Sequence, residues 1–132
     1  METSCGIILV NYDLVLILQY PQGHWDLPKG HIEENDKNHR ETALRELREE
    51  TGIDDITWVD GFSSCTEYSF MKKNKIINKK VWWLLAKTSE MEVNISSEHQ
   101  NYMWLDWNSA INQVTHQLTK NLLSEAKKFL DS

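Results

Sequence analysis

From Gly30 to Ile53 the chain reads GHIEENDKNHRETALRELREETGI, and this stretch restricts the fold more than any other. Ala43, Leu44 and Leu47 recur at helical spacing, and Gly52 stands where a C-cap glycine belongs, which predicts a helix from about Asp36 to Thr51. On that helix Glu46, Glu49 and Glu50 fall at i, i+3 and i+4 and present three carboxylates to one point. Like charges so close destabilise a bare helix and raise one another's pKa unless a cation relieves them. Hard oxygen ligands in this number suit magnesium or manganese, which bridge to phosphate oxygens. Arg45, one turn before Glu49, can orient a carboxylate by a charge-assisted hydrogen bond. A solvated glutamate-rich face is the ordinary alternative. Against it stands the string R-E-L-x-E-E-x-G-I from Arg45 to Ile53, preceded by a glycine loop and far more specific than scattered glutamates.

Around this helix the pattern is mostly β. Cys5 to Val10 and Leu14 to Gln19 are β-rich runs joined by Asn11-Tyr12-Asp13 and predict a hairpin. Tyr20 to Gly30 holds both prolines and predicts a loop, with a short strand at His24 to Leu27. Ile56 to Cys65 and Lys80 to Lys87 predict strands linked by a lysine-rich connection. Met91 to Ile95 is strand or loop, and Tyr102 to Trp107 a further strand. Helices at Asn108 to Val114 and Leu118 to Leu130 close the chain, the second amphipathic. Mixed strands around one early and one late helix imply an α/β sandwich in a single domain, residues 1 to 132.

The charge balance narrows the partners. With 20 acidic against 14 basic residues the chain carries −6, the wrong sign for a stable grip on long nucleic acid. A polyanionic substrate would need a metal ion or a local basic patch. The first residues show no signal-peptide pattern, no apolar run is long enough for a membrane span, and Cys5 and Cys65 form neither a disulfide framework nor a zinc pattern. These features predict a cytoplasmic monomer with two core thiols.

The segment resembles the signature box of the Nudix hydrolase superfamily: a glycine, an early glutamate, then R-E-U-x-E-E-x-G-U with U apolar. Arg45 to Ile53 match the second half throughout. In the first half, Gly30 to Arg45 is one residue longer than usual, and Asp36 is the nearest acid in register with the customary glutamate. Trp25-Asp26-Leu27-Pro28-Lys29-Gly30-His31, Gly61-Phe62 with Tyr68, and Glu98-His99-Gln100-x-Tyr102-x-Trp104-Leu105 are similar to runs in the asymmetric dinucleoside tetraphosphate hydrolase branch.

The resemblance implies an α/β/α sandwich with a mixed sheet and the box as loop–helix–loop. It implies that Glu46, Glu49 and Glu50, with the Gly30 carbonyl and Glu98 from a separate loop, hold Mg2+ or Mn2+. Catalysis would rest on Glu46, Glu49, Glu98 and Arg45, with the identity of the base open among the carboxylates. Lys29 and His31 flank the box glycine and can contact phosphate, although His31 could equally fix the loop through its backbone. Tyr68 and Tyr102 align with aromatic positions associated with an adenine clamp; packing on a sheet is the alternative for each. Lys72, Lys73, Lys75, Lys79 and Lys80 form either a solvated tip or a contact for distal phosphates. His24, His99 and Gln100 have no assigned chemistry. The implied activity converts a small-molecule nucleotide, diadenosine tetraphosphate, to ATP and AMP. An RNA 5'-pyrophosphohydrolase or a triphosphate-sanitising pyrophosphatase would use the same box. A non-catalytic nucleotide sensor would be expected to lose carboxylates that are all present here.

Overall fold

The computed structural model describes residues 1–132. Its scaffold is a mixed eight-stranded sheet formed by β1 (Glu2–Asn11), β2 (Leu14–Gln19), β3 (Trp25–Asp26), β4 (Lys29–His31), β5 (Thr57–Trp58), β6 (Ser64–Lys72), β7 (Lys75–Lys87) and β8 (Asn101–Asp106). β1 and β7 run parallel, in register from Glu2 opposite Lys79 to Val10 opposite Lys87. Every other pairing is antiparallel. The other edge of β1 is divided: Ser4 to Gly6 pair with β4, whereas Val10 and Asn11 pair with β2. That division lets the Lys29–His31 segment enter the sheet beside the start of β1.

Period-2 alternation splits the apolar residues between two cores. Ile8, Val10, Val15 and Ile17 join Trp107, Ala110, Leu122, Leu123 and Ala126, residues of α2 (Trp107–Gln113) and α3 (Gln117–Asp131). Cys5, Ile7, Leu9, Leu16 and Leu18 join Ala43 and Leu47 of α1 (His39–Thr51) and the following Ile53. The sheet is therefore covered by α1 on one face and by α2 and α3 on the other, the expected α/β/α sandwich. No helix is long and apolar enough to cross a membrane.

Several boundaries differ from the sequence reading. α1 starts at His39, because Asn38 is its N-cap and accepts the Glu41 N–H at 2.8 Å; Gly52 does end it, with φ 78°. The strand expected over Ile56 to Cys65 is two strands, interrupted by a turn in which Gly61 has φ 91°. The lysine-rich connection is instead ordered β-structure. β6 and β7 form a long hairpin closed by Lys73 and Asn74, both at positive φ, which matches a two-residue turn of the twist-compatible kind. Lysines at successive positions there remove the apolar alternation that announces a strand. Met91 to Ile95 is irregular, and the loop before α1 contains β4 in addition to a shortened β3.

Candidate active site

Two strands and a helix bring the box together. β4 lies antiparallel to β1 with Gly30 opposite Cys5, and α1 packs over this pair. A Cβ at Gly30 would fall on the Glu46 carboxyl group, so glycine here lets the glutamate lie against the loop. The resulting cleft, about 550 Å3, is lined by Glu46, Glu49, Glu50 and Glu98 together with Lys29, Gly30, His31 and Lys79.

Arg45 is the hub of one side. Its guanidinium donates to Asp36 through Nη2 at 2.9 Å and Nε at 3.2 Å, to Glu46 Oε1 at 2.8 Å, and to the His31 carbonyl at 2.9 Å. Glu49 is a longer contact at 3.4 Å. Arg45 therefore organises the glycine loop, Asp36 and Glu46, not Glu49 alone. Asp36 also accepts from Thr42 Oγ1 at 2.8 Å and from the Glu33 N–H at 2.9 Å, so it anchors Arg45 and the loop. Its hydrogen bonds with Arg45, supported by the Glu33 N–H, hold its carboxyl below the usual range. The His31 carbonyl receives Arg45, while its exposed side chain lies in the cleft lining.

The three helix acids face one cleft but do not converge on one point, contrary to the helical spacing argument. No three of these groups meet at metal-ligating separation. Glu46 is drawn to Arg45, and Glu50 to the Lys29 N–H at 3.0 Å and to His99 Nε2 at 3.3 Å. Repulsion between carboxylates and the available cationic and N–H partners explain the separation. Burial, with repulsion from Glu50 and Glu49, pushes Glu46 up to about 7 against the pull of Arg45. Burial likewise raises Glu50 despite His99 and the Lys29 N–H. Glu98 is exposed at the rim, its N–H donating to Ser96 Oγ at 3.3 Å.

These shifts carry a stability consequence. Between pH 4.5 and about 7, native Glu46 keeps a proton that the unfolded chain has released. Raising pH through that window therefore removes stability from the metal-free protein, and Glu50 acts in the same direction. Thermal melts in EDTA are expected to show a lower Tm at pH 8 than at pH 5.5, with the difference reduced in Glu46→Gln. An equal fall in that variant would assign the effect elsewhere.

A second cavity, about 340 Å3, opens on the α3 face. Tyr68, Val81, Trp83 and Leu118 supply apolar wall, and His24 and His116 supply ring edges. Lys29 lines both cavities. Its Nζ donates to Asp26 Oδ2 at 2.9 Å, and Asp26 also meets Thr119 Oγ1 at 3.3 Å. Burial works against the Lys29 ammonium, but Asp26 and Tyr68 outweigh it and raise its pKa. Lys79, beside Lys29, is shifted down by burial and by that neighbouring charge.

Tyr68 and Tyr102 are not brought together. Tyr68 packs on the core beneath α3, whereas Tyr102, opposite Leu18 in the β2–β8 ladder, packs on the α1 side. Strand parity puts them on opposite faces, so the two cannot clamp one base between them. Sequence reasoning missed Asp26, His116, Trp83 and Thr119 as cavity residues and did not single out Lys79. Trp83 alone carried a signal, because adjacent Trp82 and Trp83 must face opposite ways.

Residues 2–130 match the family model described as the NUDIX domain. The chain belongs to the Nudix family. This Nudix chain is 35% identical to the mouse protein named bis(5'-nucleosyl)-tetraphosphatase [asymmetrical], over 98% of its own length and 95% of the relative's. A crystal structure of a C. elegans Ap4A hydrolase binary complex superposes with a TM-score of 0.87 at 28% identity, covering 99% of this chain and 98% of that one. An RNA pyrophosphohydrolase of Cereibacter sphaeroides is 28% identical over 83% of this chain and 76% of its own.

Proposed function

We propose that this Nudix protein hydrolyses diadenosine tetraphosphate asymmetrically: one water enters, one phosphate anhydride breaks, and ATP and AMP leave. The observation that carries the reading is the pair of cavities sharing Lys29, one lined by acids and the other by aromatic and aliphatic surface. A polyphosphate requires the first, and a nucleoside the second. Tyr68 offers the stacking surface, a contact worth roughly 1–3 kcal/mol per base. Lys29 and Lys79 offset phosphate charge where the cavities meet, and His31 lies at the cleft edge.

The donor set fits a hard divalent cation. It consists of carboxylate oxygens, two of them on groups that burial makes costly to ionise without a cation beside them, and a glycine brought hard against Glu46. Glu46, Glu49, Glu50, Glu98 and the Gly30 carbonyl would hold Mg2+ or Mn2+. When bound, the ion would neutralise polyphosphate charge and acidify water. Arg45 positions Glu46 and the loop. Glu46, Glu49 and Glu98 supply the carboxylate that takes the proton from the attacking water. Free Cys5 and Cys65 fit a reducing, cytoplasmic setting.

The test is ion-exchange analysis of products from diadenosine tetraphosphate with magnesium and with EDTA. Equimolar ATP and AMP, formed only with metal, is the expected result. Two ADP would overturn the asymmetric cut. No turnover, together with pyrophosphate release from triphosphorylated RNA, would replace this reading with RNA 5'-end hydrolysis.

A further inference from the structure

The turn carrying Glu98 is built around a buried histidine that the catalytic reading leaves unused. His99 is 7% exposed, although it follows the exposed Glu98 directly. Its ring stands edge-on to Tyr20, with centroids 4.6 Å apart, and Tyr20 is itself tied to the Leu27 carbonyl at 2.8 Å. His99 Nδ1 lies 2.9 Å from Ser96 Oγ. His99 Nε2 approaches Glu50 Oε2 at 3.3 Å without the alignment of a hydrogen bond, and no other polar atom partners it.

The hydrogen-bonding roles follow from what each group can offer. With Glu50 ionised, as a cation ligand must be, a bare ring nitrogen would leave two lone-pair groups opposed in a buried site, so the ring proton belongs on Nε2, toward Glu50. Nδ1 is then an acceptor, and the Ser96 hydroxyl donates to it. The same hydroxyl oxygen accepts the Glu98 N–H at 3.3 Å. The Ser96 N–H donates to the Glu50 carbonyl at 3.0 Å, and the Asn94 N–H to the Thr51 carbonyl at 2.9 Å. A continuous path thus runs from the Glu98 backbone through Ser96 and His99 to the Glu50 carboxylate. The other Glu50 oxygen receives the Lys29 N–H, next to the box glycine.

We propose that His99 is a positioning residue that locks the Glu50 carboxylate and the Glu98-bearing turn into one unit. The two acids arrive from a helix and from a separate irregular loop, and the strand ladders do not set their relation. Backbone bonds from Ser96 and Asn94 set the loop against the end of α1, and His99 adds the side-chain link to the Glu50 carboxylate. It sits at the wall of the acidic cleft, behind Glu50, and acts through Glu50 and Glu98. The inference rests on the reading of Glu50 and Glu98 as cation ligands. Removing such an outer partner typically weakens metal affinity about 10–100-fold.

Mn2+ titration followed by electron paramagnetic resonance, on the full chain without substrate, tests this directly. Each variant is first checked for folding by circular dichroism. His99→Phe keeps the ring bulk and loses both nitrogens, and is expected to bind Mn2+ about 10–100-fold more weakly. His99→Gln, whose amide nitrogen can reach Glu50, is expected to recover most of that loss. A histidine that only fills space would show neither the loss nor the recovery. Wild-type affinity in folded His99→Phe, with weakened binding in Glu50→Gln, would overturn the role of His99 alone. Wild-type affinity in Glu50→Gln would overturn the cation reading and this inference with it. Should His99→Phe fail to fold, Ser96→Ala decides: weaker Mn2+ binding supports the path, and unchanged binding overturns it.

Discussion

Glu46→Gln is expected to lower kcat by about 10²–10⁴-fold, the range for losing a positioned acid–base group, while leaving the fold intact. The side chains have the same shape, and the glutamine oxygen can still receive Arg45 Nη1 as Glu46 Oε1 does. What disappears is the negative charge at the side chain nearest the box glycine. That charge is costly to the metal-free protein, because Glu46 is half-buried and faces Glu50 and Glu49. The variant should therefore melt at a higher temperature than wild type at pH 8 in EDTA while being nearly inactive with magnesium. Loss of activity joined to a gain in stability identifies charge held in place for function. Parallel measurements of kcat with saturating magnesium and of Tm with EDTA separate this from a folding defect. Wild-type kcat would remove Glu46 from the catalytic set.

The parts of this site that were legible in the sequence are local. Glu46, Glu49 and Glu50 share a helix whose period and terminal Gly52 are both written within a few residues, so their common face could be inferred directly. Where their carboxylates settle could not, because Arg45, His99 and the Lys29 N–H compete for them, and two of these lie far away along the chain. Asp36 shows the same limit. Its register with the box was visible, but its anchoring role depends on the loop folding back to Arg45 and Thr42. The second cavity is less local still. Asp26 meets Thr119 and the Trp25 N–H meets Thr115 Oγ1, contacts between residues 93 and 90 positions apart that no spacing rule reports. Tyr102 was recognisable as a strand residue, whereas Tyr68 fell in the segment read as a lysine-rich connection. Their separation follows from which core each alternate position joins, and that was fixed only when β8 paired with β2 and β6 with β7.

Gly30→Ala is expected to lower activity about 10²-fold, although it removes no functional group. At this position a methyl would overlap the Glu46 Cδ and both carboxylate oxygens, so the glutamate must swing away or the loop must lift. Glu46 is the softer element: its side chain is 15% exposed, whereas Gly30 is fixed in the ladder opposite Cys5. The carboxylate is therefore expected to rotate outward and lose its contact with Arg45. A displacement of about 1 Å in a positioned group can cost about 10²-fold in rate, and clearing a methyl demands at least that much. The fold should survive, since the core below contributes Ala43 and Leu47, not Glu46. The measurements are kcat/KM on diadenosine tetraphosphate and the urea midpoint. A large fall in the first with a small change in the second is expected. A fully active Gly30→Ala would mean that Glu46 works from a displaced position and that the close approach of loop and helix serves packing only. In combination with Glu46→Gln, the methyl should add little, because both changes remove the same carboxylate from the same place. Full additivity would show that the glycine acts through its own backbone, independently of the glutamate it touches.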